Sequence, residues 1–227
     1  EKVYIGEGKR EKIHHINGIQ NMTLKKVAVI GSGPSGIYAA KHMAKLGLEV
    51  TLINRDIKPG GLGEYGIFHS KDKMKDGLRK QFGKILQEEN ITYFGNVSIG
   101  NGKDISWDEF QNLGYDAILV AIGAQQTKWL GNPGEDLDGV YHAKDLVYHY
   151  NLLPPNSQKE FPIGNKVALI GAGNVMVDIA HWCIRDLGAD EVVSLVRRGP
   201  NHVKFTKKEF SYIFNNLDVD AFDAEME

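Results

Sequence analysis

The sequence contains a single cysteine, Cys183. A disulfide within the chain is therefore excluded, and so is a C-x-x-C redox pair. No cysteine-ligated iron–sulfur cluster or zinc site can be built from this chain alone. No apolar run approaches the roughly 18 residues that a membrane span needs, so none is expected. An excess of one charge is also missing. The 27 Lys and Arg against 29 Asp and Glu leave a net charge of −2, which implies no pull toward nucleic acid or an anionic membrane. The first residues show no charged-then-apolar pattern, and the expected compartment is reducing and cytoplasmic. Prolines are few, seven in 227 residues, and most fall between 125 and 165.

Glycine, by contrast, is abundant, with 26 residues that cluster where apolar runs end. The stretch 26–55 sets the pattern. A β-branched run, Val27 to Ile30, meets Gly31, Gly33 and Gly36. An apolar helical spacing follows (Ile37, Ala40, Met43, Ala44), then Gly47 and a second strand over 50–53. Strand, G-x-G-x-x-G, helix and strand within about 30 residues is the context of a dinucleotide-binding fingerprint. Gly31 permits the tight turn, Gly33 lets a pyrophosphate approach the backbone, and Gly36 lets the helix pack close to the strand. Pro34 and Ser35 open the helix, whose N-terminus offers N–H groups to phosphate. Asn54 and Arg55 close the unit where many such folds carry an acid for the ribose hydroxyls.

The following segment, 55–73, holds four glycines and is too long for a plain connection, which marks it as a ligand loop with Gly61 and Leu62 at its turn. The spacing then predicts a helix over 72–89, a strand over 91–94, a small helix over 107–112 and a buried strand over 117–122. That strand ends at Gly123-Ala124, on the carboxyl edge of the sheet where ligands bind. The proline-bearing stretch 131–165, with one helical piece over 143–150, reads as a linker. The opening pattern then returns. A strand over 166–170 leads into Gly171, Gly173, Asn174, Val175 and Met176, and a helix and a strand over 191–196 follow. That strand ends in Arg197-Arg198, with His202 and Lys204 beyond. Arginines at this position favour a 2′-phosphate through bidentate, charge-assisted bonds. One more helix is expected over 207–215, followed by an acidic end.

The expected fold is α/β, with two Rossmann-like dinucleotide-binding domains and the second one incomplete. Residues 1–23 form an N-terminal arm, 24–130 the first domain, 131–165 the linker and 166–227 a partial second domain. No metal site is expected, the paired His14 and His15 alone not making one.

Several segments occur in the order seen in one family: GSGPSG, the GGLGEYGI loop, YFGNVSIG, YDAILVAIGA, NPGEDLDGV, GAGNVMVDIA and RRGPNHVKFTKKEF. Together, over about 25–217, they resemble the adrenodoxin-reductase-like flavoproteins, with the small subunit of glutamate synthase and NADPH-dependent ferredoxin oxidoreductases as cousins. The resemblance implies FAD at the first unit, NADP(H) at the second, and electron exchange with an iron–sulfur protein. By that resemblance Gly31, Gly33, Pro34, Ser35 and Gly36 hold the FAD pyrophosphate and Asn54 faces its ribose. Gly61 and Leu62 lie by the flavin, and Gly123 and Ala124 close over FAD. Asn174 and Val175 meet the NADP pyrophosphate, and Arg197 and Arg198 its 2′-phosphate. The family usually has an acid at the position of Asn54 and a small residue at that of Met176.

The family's chain also continues past the second unit and returns to the first. The sequence is therefore expected to be a piece of a longer chain, or one completed by another chain. No acid–base catalyst is expected; Lys71 and Asp178 are candidate supporting residues. Two alternatives stay open: a glutamate-synthase-type or electron-bifurcating subunit of a larger complex, and a non-catalytic subunit that keeps the fold.

Overall fold

The computed structural model describes residues 25–226; the N-terminal arm with His14 and His15 lies outside the described residues. Four strands form one parallel sheet: β1 (Lys26–Ile30), β2 (Glu49–Ile53), β3 (Ile91–Phe94) and β4 (Ala117–Val120), in the order β3-β2-β1-β4. The central strand β1 is covered on both faces, which is why it reads as an unbroken apolar run rather than an alternation. On one face lies α1 (Pro34–Lys45). Its Ile37, Ala40 and Ala44 recur at helical spacing and pack with Phe82 and Ile85 of the next long helix on Val29, Val50 and Leu52. A proline stands at the start of α1 and Gly47, at φ +83°, follows its end.

The loop after β2 contains a short helix, α2 (Leu62–Tyr65), and leads into α3 (Asp72–Leu86). On the other face of the sheet, α4 (Trp107–Gln111) buries Phe110 against Ala28 and Ile53. A reciprocal cap starts α4: the Ser106 hydroxyl accepts from Glu109 N–H at 3.2 Å, and the Glu109 carboxylate accepts from Ser106 N–H at 2.9 Å.

A second, two-stranded parallel sheet pairs β5 (Lys166–Ile170) with β6 (Glu191–Leu195). Two helices cover it, α5 (Ala143–Tyr150) and α6 (Asn174–Arg185). Leu146 and Val147 of α5 pack with Ile179, Trp182 and Cys183 of α6, and Phe161 and Ile163 join them. Much of the stretch read as a linker is thus part of this second core. Its prolines and turns concealed apolar positions on one face of α5. Phe68, only 1% exposed, belongs to this core although it comes from the loop after β2. The helix expected over 207–215 is broken into α7 (Lys207–Phe210) and a 3-10 turn, Phe214–Asn216. The Ser211 hydroxyl donates to the Lys208 carbonyl at 2.7 Å and competes there with helix continuation. The acidic end forms α8 (Val219–Ala224), capped by Asp218, which accepts from Ala221 N–H at 3.0 Å.

Among the described residues no helix is long and apolar enough to cross a membrane. Both sheets leave apolar side chains exposed: Val120 at the end of β4 and Ile122 just past it, and Ile170, Val193 and Leu195 on the two-stranded sheet.

Candidate functional site

The first glycine turn is built by close backbone approach. Gly31 has φ +104°, its N–H donates to Ile53 carbonyl at 2.7 Å, and a Cβ on it would stand 2.4 Å from the Ala121 carbonyl oxygen. A Cβ on Gly36 would stand 1.8 Å from the carbonyl oxygen of Gly31. Only hydrogen fits at either position. Gly33 opens α1 with no side-chain cap, and nothing stands within 4 Å of where its Cβ would be. Pro34 and Ser35 are exposed beside it. The N–H groups of this helix start thus have no side-chain partner.

The loop after β2 folds back onto this turn. Gly60 N–H donates to Ser32 carbonyl at 2.8 Å, and a Cβ on Gly61 would come within 2.9 Å of Gly33 Cα. Leu62 projects from it, largely exposed. Asn54 is the clamp behind the loop. Its Nδ2 donates to the carbonyls of Asp56 (2.9 Å) and Lys58 (3.2 Å), and its Oδ1 accepts from Ser32 N–H at 3.4 Å. The carboxamide read as facing a ribose is buried and engaged with the protein's own backbone. Arg55 is exposed, and its Nη2 donates to Gln125 at 3.3 Å, which places it beside Gly123 and Ala124. Ser32 is fully buried, and its hydroxyl has no hydrogen-bond partner. A buried hydroxyl is seldom left so. With the uncapped helix start and the open face of Gly33, it is suited to the oxygens of a phosphate.

A part-buried ion pair ties the loop to α3. The Glu64 carboxylate accepts from Arg79 Nε and Nη2, both at 2.7 Å, and the guanidinium holds its carboxyl below the usual range against the opposing effect of burial. A depressed folded value means stability that is present above the unfolded value near 4.5 and lost as pH falls through the folded one. Glu64→Gln is expected to lower stability by about 1–2 kcal/mol at neutral pH. Urea midpoints as a function of pH should show that gap closing in acid, below the ordinary glutamate range. A gap that stays constant would remove the ionic argument.

The second glycine turn is more open. Gly171 has φ +132°, and nothing lies within 4 Å of the Cβ positions of Gly171 or Gly173. Among the described residues no strand stands beside β5 where β4 stands beside β1. Met176 stands at the position that Gly36 occupies in the first unit, and it is half-buried. Gly173 precedes α6 without a side-chain cap, and Asn174 and Val175 are exposed on its first turn. The segment after β6 returns to this turn. Lys204 N–H donates to Ala172 carbonyl at 2.7 Å, and Thr206 N–H donates to Asn174 Oδ1 at 2.9 Å. The Asn174 side chain thus anchors a loop, which leaves its backbone N–H as the group it offers outward. Arg197 and Arg198 are exposed at the far end of that loop.

Between the two turns lies a polar contact that nothing in the sequence spacing marks. Lys71, at the start of α3, donates to Asp178 of α6 at 2.9 Å and to Glu209 of α7 at 2.5 Å. Burial opposes the Lys71 charge, but the two carboxylates outweigh it and hold the ammonium above its usual range. Burial pushes the Asp178 carboxyl up, against the pull of Lys71. One turn along α3, buried Lys75 donates to Asn151, which donates to Tyr65 carbonyl at 2.9 Å. Burial lowers the Lys75 ammonium. Ser32, Lys75, Asn151 and Glu209 were missed by sequence reasoning. Glu209 alone had a signal, because T-x-x-E from Thr206 is the spacing of a helix start.

The sequence profile of the pyridine nucleotide-disulphide oxidoreductase family matches residues 25–217. NADPH-ferredoxin reductase FprA of Mycobacterium leprae is 32% identical over 244 residues, covering 94% of this chain and 51% of that protein. The mitochondrial NADPH:adrenodoxin oxidoreductase of Arabidopsis thaliana is 31% identical over 218 residues, covering 85% of this chain and 44% of that protein. The structure of Mycobacterium tuberculosis FprA in complex with NADPH superposes with a TM-score of 0.75 at 31% identity, covering 86% of this chain and 48% of that one. The chain thus spans about half the length of the relatives it matches.

Proposed function

The chain belongs to the pyridine nucleotide-disulphide oxidoreductase family, and from that premise we propose that it forms the two nucleotide-binding units of a flavoprotein that moves electrons between NADPH and an iron–sulfur protein. Within this chain Cys183 is fully buried, its thiol pushed up by burial, and it has no second cysteine to form a redox pair with. The observation that carries the reading is the pairing of two uncapped glycine turns with different surroundings. One is packed under a glycine loop; the other is bracketed by a loop that starts at two exposed arginines.

In this reading the first turn holds FAD. Gly31 and Gly36 keep the helix start tight against the sheet, and Gly33, Pro34 and Ser35 present backbone and helix N–H groups to the pyrophosphate. The Ser32 hydroxyl gains a partner there. Asn54 fixes the loop that carries Gly61 and Leu62 to the flavin side, and Arg55 with Gly123 and Ala124 borders the opposite edge. The second turn holds NADP(H). Gly171, Gly173 and the N–H groups of Asn174 and Val175 meet its pyrophosphate, and Arg197 and Arg198 meet its 2′-phosphate. When bound, the flavin supplies what no side chain can, acceptance of a hydride equivalent and release of single electrons. The protein's part is orientation, and no side chain is assigned as acid or base. The iron–sulfur partner, and a reducing compartment, follow from the same reading.

An absorption spectrum of the purified full-length protein tests it. Flavin bands bleached by NADPH are the expected result. A protein with no flavin bands even after added FAD would sink the enzyme reading and leave the non-catalytic alternative.

A further inference from the structure

We propose that Lys71 is a positioning residue: a single ammonium that clasps the second nucleotide unit to the flavin-side loop and so sets how the two nucleotides face each other. The inference rests on the reading above and deepens it. Three segments meet at its Nζ. Lys71 itself ends the loop that begins at Asn54 and packs on the first glycine turn through Gly60 and Gly61. Asp178 lies four residues beyond Asn174, one turn into the helix that opens on the second glycine turn. Glu209 lies three residues beyond Thr206, whose N–H holds Asn174. Each carboxylate is thus tied to the second cradle by a different segment, and the bridges span 107 and 138 residues of sequence.

The contact is built rather than incidental. The three side chains are 14, 12 and 14% exposed. The Tyr212 ring centroid lies 5.9 Å from Nζ. Phe68 stands beside the clasp with its ring 5.2 Å from His181 and 5.3 Å from Tyr150. Without the ammonium, two largely buried carboxylates would be left facing each other, their like charges would drive α6 and α7 apart, and neither would be tied to the loop. The glycine turns themselves do not involve Lys71, so their nucleotide contacts survive its loss while their mutual distance does not.

The test compares the full-length wild type with K71M and K71R. In K71M the dissociation constant for NADP+ and the flavin content are expected to stay within about threefold of wild type. The rate of flavin reduction at saturating NADPH should fall by about 30-fold or more, because misplacement by an ångström costs rate and not binding. K71R should restore the rate to within about threefold, since guanidinium also bridges two carboxylates. Independently of activity, hydrogen exchange in the nucleotide-free protein should be about tenfold faster in K71M over 66–72 and 204–212, with β1 and β2 unchanged. A wild-type reduction rate in K71M, or exchange that quickens uniformly over the whole chain, overturns the proposal. If K71M does not fold, E209Q carries the same comparison. A wild type without flavin would defeat the underlying reading instead, while the exchange pattern would still report on the clasp.

Discussion

Gly36→Ala is expected to leave a protein that neither folds to the wild-type state nor retains flavin. The added Cβ would lie 1.8 Å from Gly31 O and 3.0 Å from Gly31 C, with the Ala121 side chain at 3.5 Å behind. The obstructing atoms are backbone, so no rotamer change relieves the clash. The turn itself is fixed on its other side by the 2.7 Å bond from Gly31 N–H to Ile53. Either α1 lifts off the sheet, uncovering Ile37 and Ala40, or the turn distorts and the helix start no longer faces the ligand. We expect a cost above about 3 kcal/mol, at the upper end of overpacking effects. Loss of that size lowers the melting temperature by about 6 °C or more in a chain of this length. The control is Gly77→Ala, on the exposed side of α3, where a Cβ meets nothing within 4 Å. There the substitution should be neutral or stabilise by about 0.5–1 kcal/mol. Thermal melts and flavin absorbance of the full-length variants decide the matter. A Gly36→Ala protein that melts and binds flavin like wild type would show that the close approach is dispensable.

That contrast also shows what was legible in the sequence. The need for glycine at 31 and 36 follows from spacing, because local strand–turn–helix geometry dictates both. At the equivalent position of the second turn, Met176 stands where the resembling family usually has a small residue. The structure holds Met176 there half-buried on α6, an outcome that the spacing of the motif does not contain. The adrenodoxin-reductase resemblance agrees with relatives at 31–32% identity, since ordered motifs survive where pairwise contacts drift. Asn54 and Asn174 were singled out for their positions. Their side chains prove to bond to neighbouring loop backbone, and a sequence does not say whether an amide serves a ligand or its own chain. The linker reading of 131–165 gave weight to proline, whereas burial of Leu146 and Val147 against α6 came from a partner beyond any periodic window. Of the Lys71 clasp, the sequence singled out Lys71 and Asp178 as supporting residues but neither their pairing nor Glu209. The partners of Lys71 lie far along the chain, and a lysine on the polar side of a helix start usually reads as solvated.

Replacing both arginines, Arg197→Ala with Arg198→Ala, is expected to collapse the preference for NADPH over NADH. Two exposed guanidinium groups stand just past β6, at the head of the loop whose far end is bonded to the second glycine turn through Lys204 and Thr206. A 2′-phosphate held by charge-assisted bonds at such a place gains about 1.5–3 kcal/mol per partner. At 1.4 kcal/mol per factor of ten, the pair supplies about 10²–10⁴ in kcat/KM for NADPH. NADH carries no phosphate there, so its kcat/KM should stay within about threefold, and the loss should fall on KM rather than on the reduction rate at saturation. Because both side chains face solvent, the wild-type preference should also weaken as ionic strength rises, while the variant's should not. Arg198→Lys separates geometry from charge: a lysine keeps the charge but loses the bidentate fork, and an intermediate loss is expected. Stopped-flow bleaching of the flavin by each nucleotide measures all of this. Equal losses for NADPH and NADH would mean that the arginines hold the fold or the pyrophosphate. Equal wild-type rates with both nucleotides would remove the 2′-phosphate assignment altogether.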